Sequence, residues 1–283
     1  MIKERSYAKL NLTLDVTGLL PGGYHSLRGI MQSTDFGDEL VIEPGGGEWR
    51  AESNLKYLPT GGANLAVRAA LLFRQATGKG PEGGLIRIKK NIPVCGGLAG
   101  GSGNTAAVLR ALNREFDGGL SWEELRRLGE SLGSDVPFCI SGGTMLAEGR
   151  GELLTPLPPL PDCGIVICRP NFSSSTPELF AAVDKLRLNM HPDTDGMIAA
   201  LEAGDLEGVA RRMFNVFEAA LPHRQAAMVA ETRGALLDQG ALGSCMSGTG
   251  SAVFGLFADR AAAKKAHAAL KGRGMDCFLC GPK

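Results

Sequence analysis

The sequence predicts an α+β fold in two domains. Three observations predict it. Segments of period two mix with segments of helical spacing in both halves. The strict β-α alternation of a parallel doubly wound sheet is missing. A proline-dense stretch, Thr155-Pro156-Leu157-Pro158-Pro159-Leu160-Pro161, then separates the halves. Neither a central strand nor a helix interior tolerates four prolines in seven positions, so it reads as a joint between domains at 1–154 and 162–283. With 283 residues, 44% of them hydrophobic, there is ample chain for a core in each.

In chain order, Tyr7, Lys9, Asn11, Thr13 and Asp15 interleave with Ala8, Leu10, Leu12, Leu14 and Val16. That alternation predicts a half-buried strand with a lysine on its polar face. After the turn Pro21-Gly22-Gly23, Asp38 to Glu43 reads as a second strand. Asn64 to Gln75 carries helical spacing closed by Gly78, and Leu85 to Lys90 is a short strand running into Ile92-Pro93. A helix is expected from Thr105 to just before Gly118-Gly119. Ser121-Trp122-Glu123-Glu124 is a near capping box for another, ending at Gly133. Beyond the prolines come a strand at Ile165 to Cys168, helices between Pro177 and Gln239, a strand at Ala252 to Phe257, a helix at Arg260 to Lys271 and a last strand.

Thirty Lys+Arg against thirty Asp+Glu leave no net charge, which argues against a nucleic-acid partner. No apolar run approaches the roughly 20 residues of a membrane span. No apolar segment follows Met1-Ile2-Lys3-Glu4-Arg5, so a secretory leader is not expected. Seven irregularly spaced cysteines suit a reducing cytoplasm better than a disulfide framework. Cys277-Phe278-Leu279-Cys280 has no second Cys/His pair to complete a zinc site and reads as buried thiols in the terminal strand.

Glycine is the outlier, with 40 residues, about twice the roughly 7% average. Five of the eight residues from Gly96 to Gly103 are glycine, ahead of the helix expected at Thr105. Such a loop offers unpaired N–H groups and the positive end of a helix dipole to a phosphate. It is not a Walker A loop, because no Gly-Lys-Ser/Thr follows. Gly101-Ser102-Gly103-Asn104-Thr105-Ala106 fits G-x-G-x-x-A, but a dinucleotide loop turns directly from its strand and here about ten residues intervene after Lys90.

Pro93-Val94-Cys95-Gly96-Gly97-Leu98-Ala99-Gly100-Gly101-Ser102, with Ala8-Lys9-Leu10-Asn11-Leu12 before it and Met246-Ser247-Gly248-Thr249-Gly250-Ser251 after it, resembles the GHMP kinase family. The three motifs stand in family order over nearly the whole chain. The resemblance implies a two-domain fold with the active site in the cleft between the domains, ATP as phosphoryl donor, and Mg²⁺. Pro93, Gly96 to Asn104 (including Leu98, Ala99, Gly100, Gly101, Ser102 and Gly103) and, less directly, Asn64 would hold the nucleotide. With no Asp/Glu pair of metal spacing, Mg²⁺ would rest on the ATP phosphates, with Ser102 as the available protein oxygen.

Gly23-Tyr24-His25-Ser26-Leu27, Gly133-Ser134-Asp135-Val136-Pro137-Phe138, Ser175-Thr176-Pro177-Glu178-Leu179-Phe180 and Asn215-Val216-Phe217-Glu218 narrow the resemblance. They resemble the branch acting on a small cytidine diphosphate substrate in non-mevalonate isoprenoid synthesis. From local sequence alone Asp135 reads as a cap and Lys9 as a solvated lysine. By resemblance Asp135 is the general base and Lys9 stands beside it, keeping it ionised and stabilising charge in transfer. Tyr24 and Phe180 would sandwich the cytosine, with His25 hydrogen-bonding it. Asn11, Thr176, Gly248, Thr249 and Gly250 complete the implied substrate set. A homoserine- or mevalonate-type kinase, or a non-catalytic nucleotide-binding regulator on the same fold, are the alternatives. One departure stands out: Gly103 replaces the second serine usual in this branch, with its N–H expected to remain in the phosphate cradle.

Overall fold

The computed structural model describes residues 1–283. In chain order its strands begin with β1 (Ile2–Arg5), β2 (Lys9–Leu19), β3 (His25–Ser33), β4 (Glu39–Gly45), β5 (Trp49–Ser53), β6 (Gly83–Lys89) and β7 (Thr144–Gly149). They continue with β8 (Leu153–Pro156), β9 (Gly164–Cys168), β10 (Phe214–Asn215), β11 (Gly243–Met246), β12 (Val253–Phe257) and β13 (Cys277–Cys280). The helices begin with α1 (Leu65–Thr77), α2 (Gly100–Glu115), α3 (Trp122–Glu130), α4 (Val136–Ser141) and α5 (Thr176–Val183). They continue with α6 (Thr194–Glu202), α7 (Leu206–Arg211), α8 (Phe217–Ala220), α9 (His223–Asp238) and α10 (Arg260–Gly272). No helix is long and apolar enough to cross a membrane.

Two compact units emerge, and neither is a continuous half of the chain. The first comprises Met1–Ala8, Gly37–Val94 and Ala99–Gly142; the second comprises Lys9–Phe36, Cys95–Leu98 and Gly143–Lys283. The division therefore differs from the one expected at the prolines, because β2 and β3 pair with strands of the second unit. The proline run lies inside that unit. Pro156 ends β8, an edge strand, where a missing N–H breaks no ladder. Leu157 N–H and Leu160 N–H then bond to the Thr144 carbonyl and hydroxyl, at 3.0 Å each.

In the first unit a sheet of order β1-β4-β6-β5 carries Leu40, Ile42, Ile86 and Ile88 into a core with α1 and α2. Alanines on both helices (Ala66, Ala69, Ala70, Ala106, Ala107 and Ala111) pack there with Phe73 and Leu109. The sequence signals for helix ends hold. Asn64 caps α1 by accepting from Ala66 N–H, Gly78 closes it at φ 66°, and Ser121 and Glu124 form a complete capping box on α3.

Helix α2 starts at Gly100 rather than at Thr105, so three of the loop's glycines are helical. Packing overrides their poor propensity. A Cβ on Gly103 would stand 3.3 Å from Ser6 Cβ and from the Tyr7 carbonyl, so a residue with little bulk lets the helix approach the chain ahead of β2.

The turn leading from β6 toward Pro93 is held by a buried carboxylate. Asp38 is fully buried; its Oδ1 accepts from the N–H groups of Asn91 and Ile92, both at 2.8 Å, and its Oδ2 pairs with Lys90 Nζ. Lys90 is itself almost wholly buried, and its ammonium lies beside Gly100 at the start of α2.

The second unit contains two sheets, ordered β10-β2-β3-β7-β8 and β11-β12-β9-β13. Strand β2 is not half-buried as its alternation suggests. Its first seven residues are buried on both faces, polar ones included. Thr13 survives burial because its hydroxyl accepts from Ile30 N–H at 3.0 Å, and Asp15 because it pairs with His191 at 2.9 Å.

Removing the Asp38 carboxylate would strand the Lys90 ammonium and two N–H groups. Asp38→Ala is expected to cost about 3–5 kcal/mol of stability, measured by urea unfolding. A loss below about 1 kcal/mol would remove the ion pair from its place in holding this turn.

Candidate active site

In the first unit, the N-terminus of α2 offers an anion site. Ala99 occupies the left-handed region at φ 54°, and the amides of Ala99, Gly100, Gly101 and Ser102 precede the first intrahelical bond. No acidic side chain lies in the first turn to compete with a phosphate. The left-handed to right-handed step at Ala99-Gly100 turns successive N–H groups toward one concavity.

Three expected members of the nucleotide set are engaged otherwise. Gly103 donates its N–H to the Ala99 carbonyl at 2.8 Å, so that N–H belongs to the helix and not to the cradle. Asn104 Oδ1 accepts from the Ser6 hydroxyl at 2.9 Å. The Asn64 side chain is spent on Ala66 N–H and the Pro59 carbonyl. Ser102, by contrast, faces the chain before Asp135: its Oγ lies 3.8 Å from where a Gly133 Cβ would stand. Asp135 is the N-cap residue of α4, yet its side chain makes no capping bond, because its backbone is already helical at φ −80°, ψ −11°. The cap reading of Asp135 therefore fails.

The second unit gathers residues far apart in sequence. Lys9 is buried, not solvated, and its Nζ donates to Asn11 Oδ1 at 2.6 Å along the same face of β2. Asn11 N–H reaches Ser247 Oγ at 3.3 Å, and Ser247 Oγ donates to the Gly97 carbonyl at 3.0 Å. Lys9 N–H and Ala252 N–H hold Leu98 and Gly96 through their carbonyls, at 3.2 and 3.0 Å. Residues 96–98 are thus laced to both distant motifs. The approach is so close that a Cβ on Gly97, whose φ is 74°, would stand 2.1 Å from the Ser247 carbonyl. Gly248 lies against Lys9, its Cβ position 3.5 Å from Nζ.

Residues to which the sequence lent no role hold this second loop. Asn215 Nδ2 donates to the carbonyls of Met246 and Gly248 at 2.8 and 2.7 Å, and Glu218 Oε1 accepts from Met246 N–H at 2.8 Å. Thr249 is tied from the start of α5, its carbonyl by the Ser174 hydroxyl and its own hydroxyl by Thr176 Oγ1 at 3.0 Å.

His25 and Phe180 come together in this unit, though not as expected. Their rings stack on each other at 4.5 Å and 26°, with the Phe180 ring edge-to-face on Phe217 at 4.9 Å. Tyr24 is exposed and carries the Arg150 guanidinium at 5.1 Å from its ring centre. Asp184 escaped the sequence reading. It follows α5 one turn after Phe180 and hydrogen-bonds His25 Nε2 at 2.8 Å. The i, i+4 spacing from Phe180 was the available signal.

The GHMP kinases N terminal domain matches residues 64–143 and the GHMP kinases C terminal domain residues 197–275. The chain belongs to the GHMP kinase family. A 4-diphosphocytidyl-2-C-methyl-D-erythritol kinase from Clostridium perfringens is 41% identical over 273 residues, covering 96% of this chain and 94% of that one. Another, from Acetivibrio thermocellus, is 38% identical, with 98% of each chain covered. A crystal structure of 4-(cytidine 5'-diphospho)-2C-methyl-D-erythritol kinase superposes with a TM-score of 0.83 at 32% identity, covering 99% of both chains. Homoserine kinase from Cytophaga hutchinsonii, at 21% identity and TM-score 0.74, shares the fold.

Gly97→Ala should lower kcat/KM for ATP at least ten-fold, about 1.4 kcal/mol, and depress the melting temperature. Gly46→Ala, where a Cβ meets nothing within 4 Å, is the control. ADP release and thermal melting check both, and equal behaviour of the two variants would contradict the close approach.

Proposed function

We propose that the protein transfers the γ-phosphoryl group of ATP to the 2-hydroxyl of 4-diphosphocytidyl-2-C-methyl-D-erythritol. The observation that carries this reading is the run of near-full-length relatives of that one activity, at 38% to 41% identity. The O–H proton leaves as the new P–O bond forms and the bond to the leaving ADP oxygen breaks. We assign the proton to Asp135. The amides at the start of α2 bind the ATP phosphates, and Lys9, held by Asn11, stabilises the charge that develops in transfer. Magnesium bound to the nucleotide would spread the phosphate charge, and Ser102 Oγ, in the first turn of α2, is the protein oxygen that would help to hold it.

Tyr24, His25 and Phe180 recognise the cytosine in this reading, with Asp184 holding the imidazole. For Phe180 to take the base, the His25 ring must yield its face. ADP release measured with this substrate, homoserine and mevalonate tests the assignment. Turnover restricted to the cytidine substrate supports it, and turnover of either other acceptor at a similar rate overturns it.

Asp135→Asn should reduce kcat by about 10²–10⁴-fold while leaving the melting curve and nucleotide binding nearly intact. A variant retaining more than half its rate sinks the base assignment. Tyr24→Ala should raise KM for the cytidine substrate alone, by the equivalent of about 1–3 kcal/mol. An equal rise in KM for ATP would move Tyr24 out of the cytosine site.

A further inference from the structure

We propose that Cys168 and Cys277 are a reversible dithiol switch, closed to an intramolecular disulfide by hydrogen peroxide or another hydroperoxide. The two cysteines of the C-x-x-C motif, expected as buried thiols, are buried and do not pair with each other. Cys277 and Cys280 sit three residues apart on β13, and an extended strand sends such positions to opposite faces. Cys277 instead stands directly across from Cys168 on β9. Arg169 N–H bonds to the Asp276 carbonyl at 2.8 Å, which makes Arg169–Asp276 a hydrogen-bonded pair and Cys168–Cys277 the adjacent non-hydrogen-bonded one. In that register Cα atoms lie about 4.5 Å apart, inside the range of about 4.4–6.8 Å that a disulfide spans. The two sulfurs already touch at 2.8 Å.

The shared bond moves the two thiols in opposite directions. The hydrogen bond with Cys168 lowers the Cys277 thiol below its ordinary value, assisted by Lys271 and opposed by burial and Asp276. The same bond, with burial, raises Cys168. On α10, His267 bonds the Cys277 carbonyl at 3.2 Å. A cavity of about 330 Å³ lined by Cys168, Arg169, Asn171, Thr232 and Met275 opens onto the Cys168 side of the pair, whose sulfur lies 2.8 Å from that of Cys277. Arg169 Nε is buried there with no hydrogen-bond partner. The Cys277 thiolate attacks one peroxide oxygen; the O–O bond breaks, hydroxide leaves, and a sulfenic acid forms. Cys168 sulfur then attacks that sulfur, losing its proton, and expels the hydroxyl as water. The peroxide takes two electrons from the two thiols and becomes two waters overall.

The remaining buried thiols are poor competitors. Burial pushes Cys163 up to about 12 and raises Cys245 and Cys280 as well. Cys95 is exposed and is the internal comparison for unselective oxidation. The test treats the reduced full-length protein with excess hydrogen peroxide and maps its peptides by mass spectrometry. A Cys168–Cys277 cross-link, short by the mass of two hydrogens, restored by dithiothreitol and accompanied by a higher melting temperature, is the expected result. Cys168→Ser and Cys277→Ser should each abolish it. Should either fail to fold, the wild-type map alone decides. Recovery of both residues as free thiols while Cys95 is oxidised, or a bond joining Cys163 to Cys280 instead, overturns the proposal.

Discussion

The second unit depends on one close backbone approach, between residues 96–98 and the loop that follows β11. The two segments are about 150 positions apart, and the Ser247 hydroxyl joins them by donating to the Gly97 carbonyl. No side chain fits at residue 97, so the contact exists only because glycine stands there. From it the rest follows in sequence. Ser247 also receives Asn11 N–H, Asn11 receives the Lys9 ammonium, and Gly248 lies against that ammonium. A buried lysine is costly unless its charge is met by hydrogen bonds, and Asn11 Oδ1 supplies one.

In the first unit a second buried charge does comparable work. Asp38 and Lys90 are both withdrawn from water, and two backbone N–H groups complete the carboxylate's needs. The pair costs desolvation energy and is tolerated because it shapes the turn into the segment before α2. Downstream, α2 begins with amides that precede its first intrahelical bond and with no acidic residue in its first turn. Backbone amides and helix polarity provide preorganised positive potential without mobile side chains, which is what a largely dissociative phosphoryl transfer draws upon.

Much of this was legible in the sequence, for identifiable reasons. Helix ends at Asn64, Gly78 and Ser121 were readable because capping is local chemistry. The two glycine-rich motifs, at residues 93–102 and 246–251, were readable because few backbones need so many small residues. What escaped depends on tertiary partners. The alternation in β2 marks two faces but does not say that both are covered. Gly100 begins a helix that propensity alone would not start. The compact units are discontinuous in sequence because β2 and β3 pair with strands that lie far along the chain. Asn215 and Glu218 stand in a motif that marks the resemblance, but that motif does not say that they clamp the Met246 and Gly248 carbonyls and the Met246 N–H. The Cys168–Cys277 pairing follows from strand register alone.

The central claim is the site of phosphorylation, a hydroxyl on a fully substituted carbon. That carbon bears no hydrogen, so a phosphate attached there has no three-bond coupling to a carbinol proton. Proton-coupled phosphorus NMR of the product reads this directly. A new phosphomonoester singlet alongside the unchanged diphosphate signals is the result predicted. A doublet or a triplet would place the phosphate on a neighbouring secondary or primary hydroxyl, and either one would contradict the assignment.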